Sequence, residues 1–157
     1  RPRTAAALRV HRAGAGVRHA CVPELCPKCA IAETEKIVGS DRFVIITDAL
    51  KIKHSKVSTF KLFGLPCVRK DGAAYLTTGP LAGSLLTMDQ GVRNMYELTK
   101  ADLISLSKIS STNAAKSLRL NDRGILDVNM LADIVLLDKD LNVKQVYKLG
   151  KKVYENE

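Results

Sequence analysis

The chain has no tryptophan, and aromatic residues make up only 4% of its 157 positions. Platforms for stacking nucleic-acid bases are therefore scarce, which argues against nucleic-acid recognition despite a net charge of +9. No apolar run approaches the roughly 18 residues that a membrane span needs. The start is rich in arginine but has no apolar core of the kind a signal peptide carries. There is no repeat of 20–50 residues of the kind that builds solenoids and propellers, and no acidic tail. What is present is 46% hydrophobic and 26% charged, the balance of a globular protein in the single-domain length range.

The positive charge is unevenly placed. Residues 1–28 hold six basic residues and one acid, Glu24, and no aromatic residue precedes Phe43. This shift sets residues 1–30 apart as an atypical Arg/Ala-rich segment, expected to be disordered, foreign or misread. Cys26-Pro27-Lys28-Cys29 has the spacing of half a zinc ribbon or of a redox pair. A structural zinc site needs a second pair of ligands, and a redox pair needs a βαβ setting. Neither is evident, so Cys21, Cys26, Cys29 and Cys67 are expected to be unpaired thiols.

Phe43–Thr47 is a continuous apolar, β-branched run, as in a strand buried on both faces of a parallel sheet. A helix over 32–38 and a turn at Gly39-Ser40-Asp41 precede it, and Asp48 ends it. Short antiparallel strands follow: Val57–Phe63, a turn at Gly64-Leu65-Pro66, Cys67–Lys70, a hairpin turn at Asp71-Gly72, then Ala73–Thr77. Thr78–Ser84 reads as a glycine-punctuated loop, with Ser84 as N-cap of a helix carrying Leu85, Met88, Val92, Met95 and Tyr96 on one face. Thr99 is placed to cap a second helix that has Asp102 in its first turn and buries Leu103, Leu106 and Ile109. A third helix covers 113–118. Segments 132–138, 143–149 and 152–154 read as an antiparallel sheet. A single parallel strand cannot make a sheet alone, so the chain reads as the last part of a larger α/β fold, poorly folded or self-associating in isolation.

Three motifs carry a resemblance. "VIITDA" at Val44–Ala49, "LAGSLLTM" at Leu81–Met88 and "GVRNM" at Gly91–Met95 occur in this order and spacing in N-acetylglucosamine-6-phosphate deacetylases. The tail "DRGILDVNMLADIVLLD" resembles the closing segment of amidohydrolases generally. The likeness covers about residues 31–157. It implies the C-terminal remnant of a (β/α)8 metal-dependent hydrolase barrel plus part of a small flanking β-sandwich. Phe43–Thr47 would be the eighth barrel strand, residues 31–123 the barrel part with an inserted hairpin region, and 124–157 the sandwich part.

The resemblance also implies a reaction: hydrolysis of the N-acetyl group to give glucosamine 6-phosphate and acetate. A divalent metal, zinc, would activate the water and the amide carbonyl. Asp48 matches the aspartate that takes the water's proton and passes it to the leaving amine. Leu81, Ala82 and Gly83 match the loop that closes over the substrate. The nearest counterpart of the family's substrate-contacting His is His19, although Arg18 and Ala20 break the pattern and the distance to Asp48 is several residues too long. His11 has no supporting context, and His54 is expected to be solvated. The family's metal ligands, a Glu and two His, have no counterparts, so this chain is expected to hold no metal and to be inactive by itself. Asn129 stands where the family has Gly and should tolerate a left-handed φ; Ala114 replaces a common Pro at a helix start. Expected partners are a small sugar phosphate and further copies of the full-length chain, with neither nucleic acid nor membrane, in the cytoplasm. Two other readings are an amidohydrolase acting on a different cyclic or acylated amine, and a small zinc- or nucleic-acid-binding module.

Overall fold

The computed structural model describes residues 9–13, 16–21 and 28–156, with side chains from residue 31 onward. The described residues form a mixed helix and sheet structure with three small sheets. The first joins β1 (Arg9–Ala13), β2 (Gly16–Cys21) and β3 (Phe43–Ile45) in the order β1-β2-β3. β1 and β2 form an antiparallel hairpin, whereas β2 runs parallel to β3, with His19 opposite Phe43 and Cys21 opposite Ile45. Helix α1 (Lys28–Val38) makes the crossover, so β2-α1-β3 is a βαβ unit.

This corrects two expectations. Residues 9–13 and 16–21 are strands and not a disordered arm. The buried strand also has a parallel neighbour, because the chain reverses through a hairpin before α1 and supplies β2 itself. The βαβ setting that the cysteine pair was expected to lack is therefore present. Cys26 lies outside the described residues, as do the side chains of Cys21 and Cys29. Cys67 is a free, buried thiol.

β3 is the centre of the core. Phe43, Val44 and Ile45 are all buried, and Phe43 and Ile45 pack with Ile31, Met95, Leu106, Ile109 and Leu141. The strand is shorter than the expected Phe43–Thr47, because the chain leaves the sheet at Ile46 to form the turn that carries Asp48. α1 ends at Gly39, whose φ of +78° lets its N–H return to the Glu35 carbonyl at 2.8 Å.

The second sheet is a meander of β4 (Thr59–Leu62), β5 (Leu65–Lys70), β6 (Ala73–Leu76) and β7 (Leu81–Ser84). Its turns lie at Phe63-Gly64 and Asp71-Gly72, each with φ positive at both residues, the pattern that matches strand twist in two-residue hairpins. The first turn sits one residue earlier than expected, and Pro66 lies within β5. Leu81–Ser84, expected as a loop, is a strand paired with β6.

Helix α2 (Met88–Thr99) starts after Thr87, not after Ser84. Asp102 is the N-cap of α3 (Leu103–Ser107), its carboxylate accepting from the Ser105 N–H at 2.7 Å; Thr99 instead donates to the Met95 carbonyl inside α2. Leu103, expected to be buried, is exposed. The run continues through a π-turn (Lys108–Thr112) into α4 (Asn113–Ser117). Leu106, Ile109 and Asn113 of this run are buried together in the core. Gly124 has a φ of +93° and sits so close to this run that an added Cβ would lie 2.6 Å from Ala115 Cβ. Asn129 has a φ of +67°, as the Gly-like position required.

The third sheet, β8 (Ile134–Leu137), β9 (Val143–Lys148) and β10 (Lys151–Glu155), is antiparallel as expected. Arg93 of α2 ties it to the core, donating to the Leu141 carbonyl at 3.1 Å and to Asp89 at 2.7 Å. Burial pushes the Asp89 carboxyl up, but hydrogen bonds from Thr87 and Arg93 and the Arg93 charge outweigh it and hold the group below its usual range.

Two predictions follow from this packing. The Asn113 amide, 2% exposed, donates to the Ser40 carbonyl at 2.6 Å and the Phe43 carbonyl at 2.8 Å. Asn113→Ala strands both acceptors and should cost about 1–3 kcal/mol in urea unfolding of the full-length protein, at unchanged m-value. The depressed Asp89 pKa means that its stabilisation is present above the unfolded aspartate pKa of about 3.9 and is lost as pH falls through the lower folded value. The stability gap between wild type and Asp89→Asn should therefore be open at neutral pH and close below about pH 4; a gap independent of pH would contradict this.

Candidate active site

Parallel strands β2 and β3 place their C-terminal ends side by side, and the chain beyond β3 carries Asp48 out of the sheet at that end. In β/α folds this end is where reacting groups collect. Asp48 is exposed and has a φ of +45°, a left-handed conformation uncommon in residues other than glycine but better tolerated by Asp and Asn than by most. Such a conformation persists only where neighbouring contacts enforce it.

Those contacts come from β7. Ala49 forms a parallel bridge with Ser84. The Ser84 N–H donates to the Asp48 carbonyl at 3.1 Å, and the Leu50 N–H donates to the Ser84 carbonyl at 2.9 Å. The Ser84 hydroxyl donates to the Thr47 carbonyl and accepts the Leu86 N–H at 3.0 Å. Next to it, Gly83 permits the close approach: a Cβ there would lie 2.9 Å from Leu50 Cγ and Cδ2.

Leu81, Ala82 and Gly83 are thus brought beside the Asp48 turn. In β7, Gly83 pairs with Ala74 and Leu81 with Tyr75, which leaves Ala82 as the extra residue of a β-bulge. Bulges interrupt the ladder and redirect side chains, and they recur next to active sites. Beyond Asp48, the 3-10 helix Lys51–His54 is held by Arg69 of β5, whose Nη2 donates to the Ile52 carbonyl at 2.9 Å and the Lys53 carbonyl at 3.3 Å. His54 in this helix is exposed. The backbone of His19 lies in β2 beside Phe43, on the strand adjoining the one that leads to Asp48; its side chain is outside the described ones.

Ser84 and Arg69 were missed as site-building residues in the sequence. Ser84 does sit inside the LAGS motif, but its partner Thr47 is 37 positions away, and no local pattern reports that pairing. Among the described residues, no three His, Cys, Asp or Glu side chains gather closely enough to hold a metal ion. The described residues therefore do not fit a metal site by themselves.

The class follows from the comparisons. Residues 2–153 match the amidohydrolase family, and the chain belongs to that family. The match crosses the compositional boundary near residue 30 and overrides the reading as a small zinc- or nucleic-acid-binding module. Within the family, the chain is 38% identical over 122 residues to the N-acetylglucosamine-6-phosphate deacetylase of Lysinibacillus sphaericus, covering 78% of this chain and 32% of that protein. It is 31% identical over 134 residues to the N-acetylgalactosamine-6-phosphate deacetylase of Escherichia coli, covering 85% of this chain and 33% of that protein. Among solved structures, the N-acetylglucosamine-6-phosphate deacetylase of Thermotoga maritima superposes with a TM-score of 0.85 at 32% identity, covering 89% of this chain and 39% of that one. The chain spans about a third of the length of the curated relatives it matches first. Among the described residues, no helix is long and apolar enough to cross a membrane.

Proposed function

We propose that this chain is the C-terminal part of a cytoplasmic hydrolase that removes the acetyl group from N-acetylglucosamine 6-phosphate, giving glucosamine 6-phosphate and acetate. The observation that carries the reading is the Asp48 carboxylate, presented at the end of a buried parallel strand in a turn pinned against the strand that holds Leu81–Gly83. Asp48 takes a proton from water as the water oxygen attacks the acetyl carbonyl carbon. It returns that proton to the sugar nitrogen as the C–N bond breaks, so acetate leaves and the amine is released. The bulged backbone at Leu81–Gly83 borders the bound sugar, and His19 contacts it from the adjoining strand.

In this reading β3 is the last strand of a barrel, the β4–β7 meander is an insertion after it, and β8–β10 belong to a flanking sandwich. The family is generally metal-dependent; the metal is proposed to be zinc, held in the full-length protein by ligands that this chain does not supply. The full-length protein is proposed to be a homo-oligomer that acts on a small sugar phosphate and binds neither nucleic acid nor membrane.

The test is Asp48→Asn in the full-length protein. The amide keeps the shape of the carboxylate but cannot accept the proton. kcat should fall by ~10²–10⁴-fold, equivalent to about 3–5 kcal/mol of barrier, with KM within a few-fold of wild type. Asp89→Asn, which alters a tether on α2, should keep most of its activity. Retained activity in Asp48→Asn together with loss in Asp89→Asn would show that the wrong carboxylate has been assigned.

A further inference from the structure

Ser84 was expected to cap a helix, yet it lies in a strand, completely buried, with hydrogen bonds to the Asp48 turn and to the segment entering α2. We propose that Ser84 is the positioning residue for Asp48: its hydroxyl and backbone together hold residues 47–50 so that Asp48 keeps its left-handed conformation and its carboxylate faces the substrate. The proposal rests on the reading of Asp48 as the proton carrier.

The pattern of bonds distinguishes this role from simple core packing. The Ser84 hydroxyl donates to Thr47, immediately before Asp48; the Ser84 N–H donates to Asp48 itself; the Ser84 carbonyl accepts from Leu50, two residues later. The turn is thus gripped on both sides of the carboxylate by one residue. The same hydroxyl accepts from Leu86 N–H, so Ser84 is fixed to the chain that leads into α2. A purely packing role would be filled as well by alanine, which has no hydroxyl to satisfy. A hydroxyl is retained at zero exposure because both of its hydrogen bonds are made. Without it, the Thr47 carbonyl loses a buried donor, and the exposed Asp48 can relax to the negative φ that L-residues prefer.

The experiment uses Ser84→Ala and Ser84→Cys in the full-length protein, each alone and combined with Asp48→Asn. Two quantities are read: steady-state kcat and KM, and the φ of Asp48 from the crystal structure of each single variant. Expected for Ser84→Ala are an Asp48 φ that leaves the left-handed region and a ~10²-fold loss of kcat, the scale of a displaced reacting group, with KM within a few-fold. Ser84→Cys, which keeps the volume and hydrogen-bonds weakly, should fall between, and it serves alone if the alanine variant does not fold. In the Asp48→Asn background the Ser84 substitutions should cause no further loss, because Ser84 acts through that carboxylate. A φ unchanged in both variants, a kcat unchanged in both, or a loss of the same size with and without Asp48 overturns the proposal. If Asp48→Asn alone keeps full kcat, the catalytic reading fails and this proposal with it; the φ measurement separates that failure from a failure of Ser84 to hold the turn.

Discussion

A strand of three residues, Phe43-Val44-Ile45, is enclosed by α1, α2 and the π-turn run on its faces and by β2 at one edge. Each fully buried side chain of this size contributes about 1.5–3 kcal/mol relative to exposure, but the same enclosure removes water from the strand's backbone. Its polar groups must then be satisfied from within. β2 does this along one edge, and the Asn113 amide does it at the strand's start by joining the Ser40 and Phe43 carbonyls. Leu106, Ile109 and Asn113 follow one another at i, i+3 and i+7, the spacing of one helical face, and all three are buried against the strand.

The same enclosure makes the end of the strand useful. β3 is rigid because it is packed, so whatever follows it starts from a fixed point. The chain then turns sharply, and β7 meets the turn from a different sheet. The approach is close enough that Gly83 has no room for a side chain beside Leu50. Ser84 closes the junction, and α2 begins four residues later. The strand end, the bulged strand with Leu81–Gly83 and the helix carrying Arg93 are therefore coupled through one short stretch of chain. Arg93 extends the coupling to Leu141 and so to the C-terminal sheet.

Features set by local chemistry were readable in the sequence. Asp71-Gly72 announces its hairpin, Gly39 its helix end, and Asn129 its left-handed turn, because each depends on the conformational range of the residue itself. The carboxylate at the end of a buried strand was readable for the same reason: Phe43–Ile45 has no polar side chain and Asp48 has a charged one. Features set by distant partners were not. Phe63 is a poor residue for a positive φ, so the first hairpin turn was placed one residue late; it is 97% exposed and takes that conformation because the strands on either side fix the register. Leu81–Ser84 contains a glycine next to a small residue and reads as a loop until β6 is present to pair with it. β2 was hidden by its composition, since Gly16–Cys21 carries Arg18 and His19 and becomes a strand through pairing with β1 on one side and β3 on the other.

Under the proposed mechanism, position 48 satisfies two demands at once. The turn between β3 and the 3-10 helix requires a left-handed φ, which glycine, asparagine and aspartate adopt at the least cost. The proposed proton transfer requires a group that can accept and return a proton. Glycine meets only the first demand, and asparagine has the shape without the basicity. Glutamate has the basicity, but its carboxylate lies one carbon further from a backbone it fits less well in this conformation. Aspartate is the residue that satisfies both. The turn is tied locally to Ser84, whose buried hydroxyl has both of its hydrogen bonds made, to the Thr47 carbonyl and from the Leu86 N–H.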